Sequence, residues 1–164
     1  MEDIRTERLS LHAIDVAEGE RIASRSAGPM DTWAQDFPFE GDLVAVGMFL
    51  RASVGETFGE QQPFGYYRIT RLADGIAIGG IGFKGKPVAD CGEIGYGLAP
   101  SVRGQSYAAE AILAILGMAH ELKLERVIAS TTIDNISSQR SLARASFRLV
   151  SANAQLCHYE VIFE

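Results

Sequence analysis

Two glycine-rich stretches carry the chemistry that is easiest to read from this chain. Residues 80–87, GIGFKGKP, place Gly80, Gly82 and Gly85 in the G-x-G-x-x-G spacing of a dinucleotide fingerprint. The same residues run from Gly80 over four positions to Gly85 and Lys86, a phosphate loop whose closing Ser or Thr is replaced by Pro87. Either motif works only where its glycines pass from a strand into a helix, so that unpaired amides at the helix N-terminus meet the anion. Here the glycines lie inside and at the end of a strand, and Pro87 to Asp90 lead into another strand. The stretch therefore reads as a strand interrupted by glycines where another group comes close, closed by a tight turn.

The second stretch, APSVRGQSYAAEA over Ala99 to Ala111, has the context that the first lacks. It leaves a strand at Pro100, turns through Arg103-Gly104 and enters a long helix. The amides of Gly104, Gln105, Ser106, Tyr107 and Ala108 have no intrahelical acceptors and lie at the positive end of the helix dipole. Small residues at Gly104, Ser106 and Ala108 let a ligand approach the backbone, which makes this a candidate pyrophosphate cradle.

The elements that position these residues follow from periodicity and punctuation. Leu9 and Leu11 alternate with polar neighbours as a first strand. Asp15 and Glu18 form a capping-box start for a helix through about Ser26, stopped by Gly28-Pro29. After the aromatic connection from Trp33 to Phe39, Asp42 begins a second helix with Leu43, Val46, Phe49 and Leu50 on one face. Ser53 to Pro63 is a loop. Strands follow at Phe64–Leu72, Ile76–Phe83 and Asp90–Ala99, the first two joined by the Asp74-Gly75 hairpin turn. A helix from about Gln105 to Leu122 is apolar nearly all round and is expected between other layers. Then come a strand at Val127–Thr132, a helix from about Asn135 to Ala145, and strands at Phe147–Val150 and about Gln155–Phe163. The order β-α-α-β-β-β-α-β-α-β-β implies an α/β domain (residues 1–164) with a mixed sheet of about seven strands and helices on its faces.

Composition narrows the partners. The 164 residues carry a net charge of −6 with no Lys/Arg run, a poor match to nucleic acid and a better one to an amine-bearing partner. The N-terminal MEDIRTERLS has no apolar signal region and no run is long enough to span a membrane, so the expected location is cytoplasmic. Cys91 and Cys157 match no metal spacing and are expected to be free thiols. His12, His120 and His158 are isolated in sequence and take no assigned role.

Three segments, IRTERLSL, GEIGYGLAPSVRGQSYAAEA and DNISSQRSLARASF, resemble the GNAT superfamily of acetyl-CoA-dependent N-acetyltransferases, particularly its Rim-type branch. That branch acetylates protein N-termini and miscellaneous small amines, and the element order agrees over essentially the whole chain. Arg103 and Ala108 match the family's Q/R-x-x-G-x-G/A phosphate motif, with Ser106 in place of its central glycine. Asn135, Ser138 and Phe147 match N-x-x-S…G-F, with Ser146 in place of the glycine.

The resemblance implies a mostly antiparallel GNAT sheet in which the strand before the phosphate turn bulges and splays from its neighbour. Gly95 and Gly97 are the candidate bulge residues. Pantetheine of acetyl-CoA would lie in the opening, with Leu98 and Ala99 supplying backbone contacts and Asn135 reaching it from the far side. Glu93 stands at the position of a general base, and Ser138 substitutes for a tyrosine acid whose place is taken by Leu142. No metal is implied. The acceptor, a peptide N-terminus or a small amine, would sit among the first two helices, the Trp33–Phe39 connection and Tyr66, Tyr67 or Tyr96. Relatives of this kind often form homodimers. The two lost glycines and the missing tyrosine also leave open a non-catalytic acyl-CoA-binding or regulatory protein on the same fold.

Overall fold

The protein's structure is a computed structural model and describes residues 1–55 and 61–164. Its strands are β1 (Ile4–Arg5), β2 (Leu9–Ala13), β3 (Tyr66–Arg71), β4 (Ile76–Phe83), β5 (Cys91–Leu98), β6 (Arg126–Thr132), β7 (Arg148–Ala152) and β8 (Leu156–Ile162). Its helices are α1 (Val16–Ala23), α2 (Glu40–Ala52), α3 (Tyr107–Glu121) and α4 (Ile136–Arg144), with a 3-10 turn at Pro100–Val102. One sheet runs β1-β2-β3-β4-β5-β6-β8-β7. All its pairings are antiparallel except the parallel β5–β6 pair. The mixed sheet is the expected one, and its eighth strand is the two-residue β1, too short to show a period.

Local sequence explains most boundaries. Asp15 caps α1 by accepting the Glu18 amide at 2.8 Å, as its spacing predicts. α1 stops at Ala23, short of Gly28, because Arg25 turns into the left-handed region at φ 55°. The Arg25 and Ser26 amides then close onto the Ile22 and Arg21 carbonyls. α3 and α4 end in the same way at Lys123 (φ 65°) and Ser146 (φ 69°). Three helices are thus terminated without glycine, by a conformation that costs an L-residue about 1–2 kcal/mol. The expected loop at Ser53–Pro63 lies in part outside the described residues, and α2 extends through Ala52 before it.

Helices cover both faces. Tyr66 and Arg68 point from β3 to Asp42 of α2 and Glu18 of α1. Tyr67, on the opposite face, reaches Met118 of α3. The expectation that α3 lies between layers is corrected: Ile112 and Ile115 are fully buried, but Leu113 is half exposed and Gly117, His120 and Glu121 face solvent. Alanine and glycine at many α3 positions make all sides look apolar, while its packed stripe is the ordinary amphipathic one.

Candidate functional site

The parallel β5–β6 ladder stops at the pair Ile94↔Ala129, although β5 continues to Leu98 and β6 to Thr132. Hydrogen bonding to β4 fixes which β5 peptide groups face the gap. Lys84 donates to the Glu93 carbonyl at 2.7 Å and Ala99 donates to the Ile78 carbonyl at 2.8 Å. Antiparallel alternation then turns the peptide groups of Gly95 and Gly97 towards β4, and those of Tyr96 and Leu98 towards the gap. Beyond Ile94 no strand among the described residues pairs with them, so the middle of the sheet offers an edge to which an amide-bearing chain can add.

Two expectations change here. The β4–β5 register runs unbroken from Gly79↔Leu98 to Phe83↔Ile94, so Gly95 and Gly97 form no bulge in that ladder. The β6–β8 register is equally unbroken, so the splay opens between two regular ladders. The Ala99 amide is committed to Ile78, leaving Leu98 and Tyr96 as the gap-facing groups, with the Leu98 carbonyl already accepting from Arg103 Nε at 3.1 Å.

The strand end leads into the turn that precedes α3. Gly104 takes φ +84°, and Ser106, the residue before α3, takes φ 63° and ψ 19° with no side-chain cap on the helix. The first-turn amides of Tyr107, Ala108 and Ala109 have no i−4 partner, which leaves them for an anion. Surrounding contacts hold this turn in shape. Arg8 donates to the Gln105 carbonyl at 2.9 Å and lies 4.4 Å from the Tyr107 ring centroid. Glu110 accepts from Thr6 Oγ1 and from the Arg8 amide and guanidinium, at 2.6–2.8 Å. Asp36 accepts from both the amide and hydroxyl of Ser101. Arg144 donates to the Ser106 hydroxyl, so the side chain at this glycine position is turned towards α4. Arg103 stacks 5.2 Å from Phe39.

A cavity of about 510 Å³ joins the β5–β6 gap to the space under α2. Its sheet-side floor explains the 80–87 stretch. Gly80 opposes Gly97 and Gly82 opposes Gly95, two directly paired rows on the α2 face. A Cβ on Gly80 would collide with the Tyr66 phenol, and one on Gly82 with the Gly65 carbonyl. These glycines let Tyr66 lie flat across β4 and donate to Asp42 Oδ1 at 2.7 Å. They bind no nucleotide through a helix N-terminus; a turn of 84–90 follows them, then β5.

The remaining candidates gather around this cavity in part. Asn135 and Ser138 line it. Asn135 Oδ1 caps α4 by accepting the Ser138 amide at 3.1 Å, which leaves its amide nitrogen for a ligand. Ser138 Oγ lies 2.6 Å from the Tyr96 hydroxyl, linking α4 to β5 across the gap. Burial pushes the Tyr96 phenol up to about 12, so its proton is retained at neutral pH. Glu93 sits on the same face of β5 as Gly95 and Gly97 but does not line the cavity itself; Lys84, which does, approaches it at 3.2 Å.

Sequence reasoning missed two participants. Asp42, read only as a helix start, lines the cavity with 3% of its surface exposed; burial raises its carboxyl above the ordinary value although Tyr66 and the Phe39 amide bond to it. Ser130 also lines the cavity, and its hydroxyl lies 2.9 Å from His158 Nδ1 on β8. Both pairs join residues more than twenty apart in sequence, so no local spacing signals them. Cys91 and Cys157 are unpaired thiols. Among the described residues no metal-holding group of acidic, His and Cys side chains occurs, and no helix is long and apolar enough to cross a membrane.

Comparison with known proteins agrees with this geometry. The sequence pattern of the family described as acetyltransferase (GNAT) domain matches residues 8–148. No curated protein sequence matches the chain. Among solved structures, an acetyltransferase from Agrobacterium tumefaciens is similar at 22% identity and TM-score 0.68, covering 98% of this chain and 94% of that one. A ribosomal-protein alanine acetyltransferase from Vibrio fischeri is similar at 14% identity and TM-score 0.65, covering 99% and 97%. RimL, a ribosomal-protein alpha-N-acetyltransferase solved with coenzyme A, is similar at 17% identity and TM-score 0.68, covering 98% of each chain. Ribosomal-protein acetyltransferases among the neighbours are what a Rim-type resemblance leads one to expect.

Proposed function

The chain belongs to the GNAT acetyltransferase family, and on that premise we propose that it transfers the acetyl group of acetyl-CoA to a primary amine by direct attack, with both substrates bound together. The observation that carries this reading is the end of the β5–β6 ladder at Ile94↔Ala129, immediately before an uncapped helix N-terminus. A gap lined by amides suits pantetheine, and the free amides of Tyr107 to Ala109 suit its pyrophosphate. Tyr96 and Leu98 hold the pantetheine arm from β5, and the Asn135 amide nitrogen holds it from the head of α4. The thioester supplies the activated acetyl group.

The chain's own groups then handle the protons. Glu93 takes the proton of the attacking ammonium through water, released from Lys84 as the amine arrives. Ser138 donates a proton to the departing thiolate and is reprotonated by the Tyr96 hydroxyl beside it, whose proton is available at neutral pH. One of the two gap-facing amides, which lie about 7 Å apart along β5, can also meet developing negative charge on the acetyl oxygen. Holding the amine and thioester together supplies much of the remaining rate gain.

The test is a thermal-shift comparison of acetyl-CoA, CoA, ATP and NAD, followed by thiol release with a panel of amines. A ligand at 100 times its Kd stabilises by about 2.7 kcal/mol. Stabilisation by acetyl-CoA and amine-dependent thiol release are expected. Stabilisation by ATP or NAD alone would sink the reading. CoA binding without turnover for any amine would leave a binding protein.

A further inference from the structure

The acceptor end of the cavity has a chemistry of its own, and its assignment to an amine rests on the acetyl-transfer reading. Gly97 is its most informative residue. Its backbone is not left-handed, and among the described residues a Cβ there would meet nothing within 4 Å. Neither conformation nor protein packing requires glycine at this strand position, where glycine is ordinarily unfavourable. The space that a side chain would fill belongs to the cavity, between the floor of β5 and the α2 residues Ala45 and Met48.

The second observation is Asp42. Its carboxylate is buried, lines the cavity, and accepts two neutral donors: the Tyr66 hydroxyl at 2.7 Å and the Phe39 amide at 3.0 Å. A carboxylate offers about four acceptor sites, so two remain. Among the described residues no lysine, arginine or histidine forms an ion pair with it. The Arg103 charge acts on it only through space, its guanidinium being bonded to the Leu98 carbonyl, and a buried carboxylate that no cation contacts directly is costly unless something charged completes it. The α2 N-terminus offsets part of that cost, and burial lifts the carboxyl above its ordinary value, the mark of an incompletely compensated charge.

The third is what surrounds them. Ala45, Met48, Phe49 and Phe64 supply apolar walls, while Gln61 and Lys84 also line the cavity, Lys84 lying against Gly95 and paired with Glu93. A second ammonium entering here would lose water and meet the Lys84 cation.

We propose that the acceptor is a small primary amine with a flat or linear apolar body, lying on Gly95 and Gly97 under Met48, its ammonium recognised by Asp42 and Tyr66. Asp42 orients the nitrogen; the proton leaves to Glu93 through water. The one-sided arrangement selects a single positive charge at one end and apolar surface along the rest.

Steady-state kinetics at saturating acetyl-CoA test it with 2-phenylethylamine, hexylamine, spermidine and a peptide beginning with alanine. The first two are expected to exceed the others at least tenfold in kcat/KM. Gly97→Ala puts a methyl into open space, so its Tm and acetyl-CoA affinity stay those of the wild type while KM for 2-phenylethylamine rises at least tenfold. Asp42→Asn raises the amine KM and leaves the acetyl-CoA KM unchanged. Calorimetric titration of 2-phenylethylamine in the presence of CoA reads the site without turnover. Binding lost in Gly97→Ala, with no turnover of any amine, keeps the site and sinks the transferase reading. Turnover that favours spermidine or the peptide, or an amine KM untouched by Gly97→Ala, keeps the transferase and overturns the proposal, and so does failure of 2-phenylethylamine to bind.

Discussion

Ser146 and Ser106 stand where the family pattern has glycine, and both adopt left-handed backbone, at φ 69° and φ 63°. The same substitution at the two sites separates backbone strain from side-chain contacts. At Ser146 the residue follows the C-cap of α4, and its amide and that of Phe147 donate to Ala143 and Leu142. This is the closure that glycine makes most cheaply. The serine side chain is exposed and forms no hydrogen bond. Ser146→Gly relieves about 1–2 kcal/mol of left-handed strain and concedes about 0.5–1 kcal/mol to the greater freedom of the unfolded chain. The net gain of about 0.5–1 kcal/mol corresponds to a Tm rise of about 1–4 °C for a domain of this size. Differential scanning calorimetry measures it, with Ser146→Ala as the control that keeps both the strain and the Cβ. At Ser106 the same relief is offset by loss of the Arg144 contact, worth about 0.5–1 kcal/mol at an exposed site, so stability should change little. Removing the hydroxymethyl group and freeing Arg144 beside the α3 N-terminus should instead tighten CoA binding at least about threefold, roughly 0.7 kcal/mol. A Tm for Ser146→Gly at or below that of Ser146→Ala would refute the strain argument. Unchanged or weaker CoA binding by Ser106→Gly would refute the placement of pyrophosphate at this turn.

Other perturbations probe separate parts of the site and scaffold. Tyr96→Phe removes the partner 2.6 Å from Ser138 Oγ and should lower kcat about 100-fold with little change in either KM, the low end of what a proton donor contributes; an unchanged kcat in rapid-mixing assays argues against the relay. Gly80→Ala drives a methyl into the Tyr66 phenol and breaks a buried hydrogen bond, costing at least about 2 kcal/mol in urea unfolding. Asp31 anchors the connection after α1 through two Arg21 hydrogen bonds, which hold its carboxyl below the ordinary 3.8. A depressed folded value means stability present above the unfolded value and lost as pH falls through the folded one. Asp31→Asn should therefore cost about 1 kcal/mol at pH 7, modest because Arg21 is partly exposed, and the gap to wild type should close as the pH falls below the ordinary 3.8 and through the depressed folded value. A gap that widens on acidification reverses the sign and sinks the argument.

Much of this architecture was legible because its causes are local. The Asp15 cap, the Asp74-Gly75 turn and the alternation of β3 and β4 are short-range effects that any window of the chain displays. Helix ends were less legible: Arg25, Lys123 and Ser146 enter left-handed conformation against their own preference, held by hydrogen bonds to the preceding turn and by packing of the residues that follow. The bulge expected at Gly95 and Gly97 failed for a similar reason, since a glycine in a strand announces a close approach without saying what approaches.

By itself the sequence determined the order of elements, the turn before α3 and the identity of the glycines in 80–87. Only the tertiary structure decided what those glycines do. They clear the face across which Tyr66 reaches Asp42, and Gly95 and Gly97 oppose them from β5, Gly97 leaving open space in the cavity floor. Pairing between strands and contact between β3 and α2 are relations among distant residues, and no spacing along one chain contains them.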